Sequence, residues 1–213
     1  MKDLTQTTRG EETRAHILKA ALRQASSTGF GALTIGSLAT QTGMSKSGLF
    51  AHFGSKEELQ IATLDESVRR FEETAMIPAL AAPRGLKRLT AIFNNWLTWT
   101  ARNELSTCPL MAASLEFGDR PGAVRDAMLA HTKRMHEGLV KATRMTIDSG
   151  EFAPQTDPEQ FAFELYCIIT GLYRQRHLFP DKILSQRAKK AFERLVASAL
   201  TPPPAAKKRS SRK

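Results

Sequence analysis

The chain has 213 residues, and its 31 Lys and Arg against 21 Asp and Glu give a formal net charge of +10. Apolar residues make up 41% and charged residues 24% of the chain, proportions that exclude the disordered and collagen-like classes. Because no stretch approaches the roughly 18 apolar residues of a membrane helix and the N-terminus lacks an apolar signal core, we expect a cytoplasmic protein without a membrane partner.

The excess positive charge lies at the two ends of the chain. The last seven residues carry five basic and no acidic side chains, residues 1–56 carry a net charge of +4, and residues 57–206 are nearly neutral at +1. Such asymmetry indicates a polyanionic partner at one or both ends. For the tail alone, we favour a simpler explanation, in which its charge only keeps the protein in solution.

The first 70 residues predict four helices. Gly29 ends the first, and Gly43 supplies the left-handed conformation that a sharp turn between the second and the third requires. The fourth opens with a capping box, in which the Ser55 hydroxyl accepts from the Glu58 amide and the Glu58 carboxylate accepts from the Ser55 amide. The expected spans are Arg9 or Glu11 to Ser26, the N-cap Thr34 to Thr42, Lys46 to Ala51 or His52, and Ser55 onward.

Longer helices follow beyond residue 85. Hydrophobic residues recur there at spacings of three and four, and prolines and glycines fall at helix borders rather than at hairpin spacing. Asp157 and Pro158 form an N-cap followed by proline in the first turn. The expected spans are Leu86 to Arg102, Pro109 onward, Pro121 to Ser149, Pro158 to Phe179, and Lys182 to Leu200. We therefore expect an all-α fold of about nine helices.

Residues 34–50 predict a helix-turn-helix. Leu38, Ala39 and Leu49 are spaced to pack its two helices together, and Ser45 caps the second helix directly after the turn. Small, polar and basic side chains at a helix N-terminus suit insertion into the major groove of DNA, whereas bulky apolar ones would indicate a core. The outer face of the second helix consists of Lys46, Ser47 and Gly48.

This motif lies within a longer series of informative positions. They are Arg14, Ile17, Leu18, Ala20 to Leu22, Gly29, Phe30, Thr34, Leu38, Ala39, Gly43 to Lys46, Leu49, Phe50, His52, Phe53 and Ser55 to Leu59. Over these residues, about a quarter of the chain, the sequence resembles the N-terminal domain of the TetR family of transcriptional regulators. Agreement at so many ordered positions is a stronger signal than a lone helix-turn-helix.

The resemblance implies DNA-binding roles for eight residues. Thr34 would bind a phosphate with its hydroxyl and the helix-end amides, and Lys46 would reach a base or a phosphate. Phe50 stands where the family usually has a Tyr that contacts a phosphate; it would pack on the sugar-phosphate wall or, with equal weight, in the domain core. Thr34 and Ser45 cap helices in either case. The full set is Thr34, Ser45, Lys46, Ser47, Gly48, Phe50, His52 and Lys56.

The resemblance also implies a C-terminal ligand-binding and dimerisation bundle. The implied division is a helix-turn-helix domain at 1–54 and the bundle at 55–200. The basic tail at 201–213 has no large apolar side chain to bury beyond its prolines, so its composition predicts disorder. Most of the large side chains in the bundle will be ordinary core, but Trp96, His131, Tyr166 and Tyr173 each need a hydrogen-bond partner if buried, which a ligand can supply. The candidates for a ligand pocket are Trp96, Trp99, Leu110, Met111, Phe117, Met128, His131, Met135, Tyr166, Ile169 and Tyr173.

The two cysteines and the histidines do not predict a cofactor or metal site. Cys108 and Cys167 are far apart, which argues against a disulfide framework and a zinc site, and His131 and His136 do not share a helix face. Cys108, near a helix start, is either a thiol-reactive sensor or, as we favour, a small buried hydrophobe. No cofactor is therefore assigned.

The last two helices are predicted to form a homodimer. Residues 161–173 are apolar nearly all round, so this helix needs cover on two sides, and Gly171 would let two backbones approach. The final helix carries a matching apolar stripe, which completes a four-helix bundle with two helices from each subunit. The interface candidates are Gly171, Leu184, Ala188, Phe192, Leu195 and Ala199.

Together these features predict a homodimeric repressor that binds a palindromic operator in double-stranded DNA and responds to a small-molecule effector. Two other classes stay open. A sequence-neutral DNA-compacting protein fits the isoelectric point near 9.9 but does not need a large neutral bundle. An all-helical enzyme needs a converging nucleophile or acid–base set, and the sequence does not predict one.

Overall fold

The computed structural model describes residues 9–101, 109–179 and 183–201, and within these residues the chain forms nine helices and no strand. The all-α prediction is confirmed. The predicted tail from residue 202 onward and Cys108 lie outside the described residues. The helices are α1 (Arg9–Thr28), α2 (Ile35–Thr42), α3 (Lys46–Phe53), α4 (Lys56–Phe71, a π-helical turn Glu72–Met76, and Ile77–Ala79), α5 (Leu86–Trp99), α6 (Pro109–Phe117), α7 (Ala123–Asp148), α8 (Pro158–Leu178) and α9 (Ile183–Ala199).

Most helix borders follow the predicted capping residues. Gly43 ends α2 in the left-handed conformation, with φ 70°, and the Asp157 carboxylate accepts from the first amides of α8. The capping box predicted for α4 is only half present. Ser55 Oγ accepts from the Glu58 amide at 3.0 Å, but the Ser55 amide donates to the Phe53 carbonyl at 2.6 Å, because the left-handed Gly54 turns the chain back at this point.

The chain divides into two compact units. The first comprises the residues up to 79 together with 94–135, and the second comprises 80–93 together with the residues from 136 onward. The borders between the units fall inside α5 and α7. The domain border predicted between residues 54 and 55 follows from the family resemblance rather than from compactness, and it stays a prediction.

The first unit has two clusters of buried side chains. One joins α1, α2, α3 and the start of α4, and the other joins the end of α1 and α4 to α6 and α7. Phe30 and Leu64 belong to the second cluster and are fully buried. The first cluster consists of Ile17, Leu18, Ala20, Ala21, Leu33, Ile35, Leu38, Ala39, Leu49, Phe53 and Leu59.

In the second unit, α9 packs along the chain's own helices. Phe192 stacks on Phe93 with ring centroids 4.1 Å apart and an interplanar angle of 7°. The backbone beyond α9 is also held, since Ala153 N–H donates to the Ala199 carbonyl at 2.8 Å. The predicted interface residues of α9 are all buried within the single chain, and their contribution to a dimer stays a prediction. They are Leu184, Ala188, Phe192, Leu195 and Ala199.

No helix within residues 9–101, 109–179 and 183–201 is both long enough and apolar enough to cross a membrane.

Candidate nucleic-acid interface

The helix-turn-helix is built as the sequence predicts. Leu38 and Ala39 of α2 and Leu49 of α3 are buried in one cluster with Ile17 of α1. Since these apolar side chains point inward, the opposite side of α3 faces away from the core. Leu49→Ala would leave a cavity in this cluster, and such a change costs about 2–5 kcal/mol in other proteins.

The outward side of α3 carries the polar residues that the sequence singles out. Ser45, Lys46 and Ser47 are exposed, and Gly48 is half-buried. Ser45 Oγ accepts from the Gly48 amide at 3.1 Å and lies 3.1 Å from Ser47 Oγ. The Ser45 hydroxyl therefore caps the helix, and the neighbouring Lys46 and Ser47 side chains are presented to solvent at its N-terminus, where the helix dipole favours an anion.

Lys46 lies across the small face of α2. A Cβ placed on Gly36 would be 3.7 Å from Lys46 Cε, so the aliphatic stem of the lysine runs over this glycine. A side chain of the lysine type can pack its stem and keep its ammonium group in water. Gly36 thus offers a small surface on which the stem of Lys46 can lie.

Thr34 forms the N-cap of α2. Its Oγ1 accepts from the Ser37 amide at 3.0 Å, and the Thr34 amide donates to Ser37 Oγ at 3.1 Å. These reciprocal bonds make a complete capping box, which the sequence analysis missed because it expects Glu or Gln rather than Ser at the third position. The capping role of Thr34 is confirmed, and its phosphate contact stays a prediction.

Phe50 lies on the surface. Its side chain is 50% exposed, so the alternative in which Phe50 belongs to the domain core is wrong. His52 is half-buried beside Phe53, with ring centroids 6.2 Å apart. The Arg14 guanidinium lies over the Phe53 ring, 5.2 Å from its centroid, and joins α1 to α3.

Lys56 has a partner inside the protein. Its Nζ donates to the Gly31 carbonyl at 3.0 Å, although the side chain is exposed. The predicted phosphate contact of Lys56 therefore has to share or replace this hydrogen bond. The sequence alone did not reveal the bond, because the two residues are 25 positions apart.

Further along α4, Glu66 is held by two arginines. Arg69 Nε and Arg70 Nε donate to its two carboxylate oxygens at 2.7 Å each. Burial raises the pKa of the Glu66 carboxyl, but the hydrogen bonds and positive charges of Arg69 and Arg70 outweigh that effect and bring it below its usual range. These pairs span three and four residues, so they support the helical conformation of α4.

The candidate pocket residues are distributed over both compact units. Eight lie in the first unit and three in the second, and a shared cavity stays a prediction. Trp96, Met128 and His131 are buried, and the other five of the first unit are half-buried. In the second unit, Ile169 and Tyr173 are buried and Tyr166 is half-buried.

His131 has partners within the chain at both ring nitrogens. Arg134 Nη2 donates to Nδ1 at 2.5 Å, and since a guanidinium only donates, the proton is on Nε2. Nε2 then donates to Asp65 Oδ1 at 2.6 Å. His131 therefore joins α7 to α4 and does not need a ligand as its hydrogen-bond partner, contrary to the reason for which it was singled out.

Phe71 contacts two tryptophans, although it is not among the residues that the sequence singles out. Phe71, the last α-helical residue before the π turn of α4, lies with its ring centroid 5.2 Å from that of Trp96 and 5.9 Å from that of Trp99. Next to it, Asn95 Nδ2 donates to the Ala75 carbonyl within the π turn at 2.9 Å. The sequence prediction named Trp96 and Trp99 but not Phe71, because periodicity does not show which residues of two distant helices meet.

No group of three or more His, Cys, Asp or Glu side chains in the described ranges is arranged to hold a metal ion. The free thiol of Cys167 is exposed on α8.

Comparison with known proteins adds to this geometry. Residues 17–63 match the family model described as "Bacterial regulatory proteins, tetR family", and residues 85–192 match "Tetracyclin repressor-like, C-terminal domain". The transcriptional regulator TtgR of Pseudomonas putida is 25% identical over 180 residues, which cover 81% of this chain and 84% of that protein.

Solved structures show the same fold. A TetR-family regulator from Cytophaga hutchinsonii superposes with a TM-score of 0.82 at 18% identity, covering 93% of this chain and all of that one. AibR, solved in complex with isovaleryl coenzyme A and operator DNA, gives a TM-score of 0.67 at 20% identity, with 89% of this chain and 99% of that one covered.

Proposed function

The chain belongs to the tetR family of bacterial regulatory proteins, and on that basis we propose that it is a repressor whose helix-turn-helix binds a palindromic operator and whose bundle binds a small-molecule effector. It is a DNA-binding transcriptional regulator that acts as a dimer. We also propose that the protein acts in the cytoplasm and that it regulates by binding DNA and effector rather than by catalysing a reaction.

The proposal rests on the amphipathic character of α3, which has one buried apolar face and one exposed polar face. Its Leu49 and Phe53 are buried against α1 and α2, whereas Ser45, Lys46 and Ser47 are exposed at its N-terminus. A short helix with this division supports major-groove binding, in which phosphate contacts position the helix and a few side chains contact base edges.

Each predicted contact has a role in this proposal. Ser45, Lys46, Ser47 and Gly48 face the base edges. Thr34 and the first amides of α2 hold a phosphate, and Phe50 lies against the sugar-phosphate backbone. His52 and Lys56 complete the phosphate contacts on the side of α4. In a dimer the two α3 helices enter successive major grooves about 34–36 Å apart.

The effector acts by its preference for one state of the bundle. A ligand shifts a conformational equilibrium only by the difference between its affinities for the two states. The structural neighbour AibR was solved with both an acyl coenzyme A and operator DNA, which supports the view that this fold accommodates the two partners. Among the candidate pocket residues, Trp96 and Trp99 contact the ring of Phe71 at the end of the regular part of α4, and His131 bonds to Asp65 within it.

The experiment is a selection of binding sites from random double-stranded DNA, followed by footprinting of the selected sequence. We expect an enriched palindrome that is protected on both half-sites, and release of this DNA by a compound found in a thermal-shift screen. Uniform protection without an enriched sequence would instead support the DNA-compacting alternative and overturn the proposal.

A further inference from the structure

The loop between α1 and α2 receives a carboxylate from a distant helix. Glu116, in the last turn of α6, accepts from the Phe30 amide through Oε1 at 2.9 Å and from the Gly31 amide through Oε2 at 2.6 Å. The two successive amides thus form a small anion-binding nest, and the anion inside it belongs to the protein itself.

The glycines of this loop make room for the carboxylate. Gly29 has φ +85°, and a Cβ on it would lie 2.5 Å from Glu116 Oε1, closer than real Cβ contacts come. A Cβ on Gly31 would lie 3.2 Å from Oε2. Gly29 therefore supplies the left-handed backbone and leaves room for the Glu116 carboxylate in the position where the two amides bind it.

The carbonyl side of the same loop is held by α4. Gln60 Nε2 donates to the Phe30 carbonyl at 2.7 Å, and Lys56 Nζ donates to the Gly31 carbonyl at 3.0 Å. Phe30 and Gly31 thus have both their amides and their carbonyls bound by side chains, and the peptide group between them is held on both sides. Side chains of α4 and α6 therefore fix the loop. Gly31 is exposed, so without these side chains its backbone groups would bond to water.

The held loop leads directly into the N-cap of α2. The Leu33 amide donates to the Phe30 carbonyl at 3.1 Å, and the next residue is Thr34, the proposed phosphate contact. A displacement of Glu116 therefore reaches Thr34 through one turn of hydrogen-bonded backbone. The same helix α6 carries Leu110 and Phe117, which pack against the buried cluster that includes Phe30.

We propose that Glu116 is a positioning residue for DNA binding: its carboxylate clamp on Phe30 and Gly31 sets the place of Thr34 at the phosphate-binding end of α2 and passes a movement of α6 to the DNA-binding helices. This inference rests on the proposed function, because it requires that α2 and α3 bind DNA.

A positioning role and a purely electrostatic role of Glu116 predict opposite changes in DNA affinity when its charge is removed. Glu116→Gln keeps the size of the side chain, but its carboxamide has one acceptor oxygen and an NH₂ group that cannot accept, so one of the two loop amides loses its partner. Removal of a negative charge should by itself strengthen binding to a polyanion. Positioning predicts the opposite, a loss of affinity for the operator.

The test measures affinity for the sequence that the wild-type protein selects from random DNA. We expect Glu116→Gln to weaken binding about tenfold and Asp119→Asn, which removes the same charge at an exposed position three residues away, to leave it unchanged or slightly stronger. Both proteins should be dimeric and unfold at similar temperatures. If Glu116→Gln binds as tightly as the Asp119 control, the proposal is wrong.

A double-mutant cycle with Thr34→Ala tests the path. If Glu116 acts by positioning Thr34, the double variant should bind only a fewfold more weakly than the weaker single variant, because the two changes remove the same contact. A merely structural role for Glu116 would instead give losses that multiply. Multiplying losses would therefore overturn the proposal.

Hydrogen exchange of the wild-type protein provides a measurement that does not depend on how a variant folds. The amides of Phe30 and Gly31 should exchange at least tenfold more slowly than unprotected amides of the same sequence. Exchange at the unprotected rate would show that the clamp does not form in solution. If the wild type selects no DNA sequence at all, the proposed function fails, whereas intact selection with a neutral Glu116→Gln refutes the clamp alone.

Discussion

At the scale of single residues, the structure shows how the surroundings of the proposed DNA-contacting side chains differ. Lys46 and Lys56 are both exposed lysines at the starts of helices, but their surroundings differ. Lys46 extends over Gly36, and Lys56 donates to the Gly31 carbonyl. The stem of Lys46 packs over a glycine, whereas the ammonium group of Lys56 donates to a backbone carbonyl, so the two lysines should respond differently to mutation.

Lys46→Ala should weaken binding to the selected operator by about 1–3 kcal/mol and binding to random DNA much less, because a base-edge contact is lost. Preference should relax at one base pair in each half-site. Lys87→Ala, an exposed lysine of α5 in the second unit, serves as the control for charge. A uniform loss with an unchanged sequence preference would make Lys46 a phosphate contact.

Lys56→Ala should weaken binding to operator and random DNA alike and reduce the slope of log affinity against log salt by about one, since one phosphate contact is lost. Titrations at several salt concentrations measure this slope. An unchanged slope, together with a lower unfolding temperature, would show that Lys56 serves only to hold the α1–α2 loop.

At the scale of elements, capping and glycine chemistry made the helices predictable. Thr34, Ser45 and Asp157 cap the helices that the sequence assigned to them. What the sequence did not reveal are contacts between residues distant in the chain, such as Glu116 with the loop at Gly31. Periodicity reports which face of a helix is buried but not which partner covers it, and the π turn at 72–76 has no periodic signature.

Gly43→Ala should destabilise the protein by about 1–2 kcal/mol, because an L-residue pays for the left-handed conformation even where its Cβ meets nothing within 4 Å. Gly138→Ala is the matched control: its Cβ also meets nothing within 4 Å, but Gly138 lies inside α7, so the change should stabilise by about 0.5–1 kcal/mol. Chemical denaturation measures the change in unfolding free energy of each variant. Changes of the same sign in the two variants would contradict this prediction.

Phe192→Ala should cost about 3–5 kcal/mol of unfolding free energy through loss of the stack on Phe93. Because this stack lies within one chain, the cost should be the same at low and high protein concentration. A loss that grows on dilution would show that Phe192 acts mainly at the dimer interface.

At the scale of the whole molecule, the pattern of the sequence predicted the helical class and the family but left the interface between subunits open. The apolar stripe of α9 was expected to face a partner, yet its side chains are buried in the single chain. An amphipathic stripe indicates burial and is silent about which chain provides the cover. On α8, in contrast, Phe163, Cys167, Gly171 and Leu178 are exposed, so a partner can still cover this helix.

Gly171→Arg should convert the dimer into monomers and abolish tight operator binding. A Cβ at Gly171 meets nothing within 4 Å in the single chain, so the subunit has room for the new side chain and should keep its helical content. Sedimentation gives the mass and circular dichroism the helicity. An intact dimer for this variant would place the interface elsewhere.

The π turn in α4 has a mechanical consequence. The regular part of this helix, Lys56–Phe71, has 16 residues and is therefore about 24 Å long at 1.5 Å per residue. If it pivots as a rigid lever at the π turn, a tilt of roughly 5° moves its far end by about 2 Å. That displacement is large enough to break the 3.0 Å hydrogen bond from Lys56 to Gly31. A small rotation near Phe71 thus becomes, at the other end of the helix, a displacement comparable to the length of a phosphate contact.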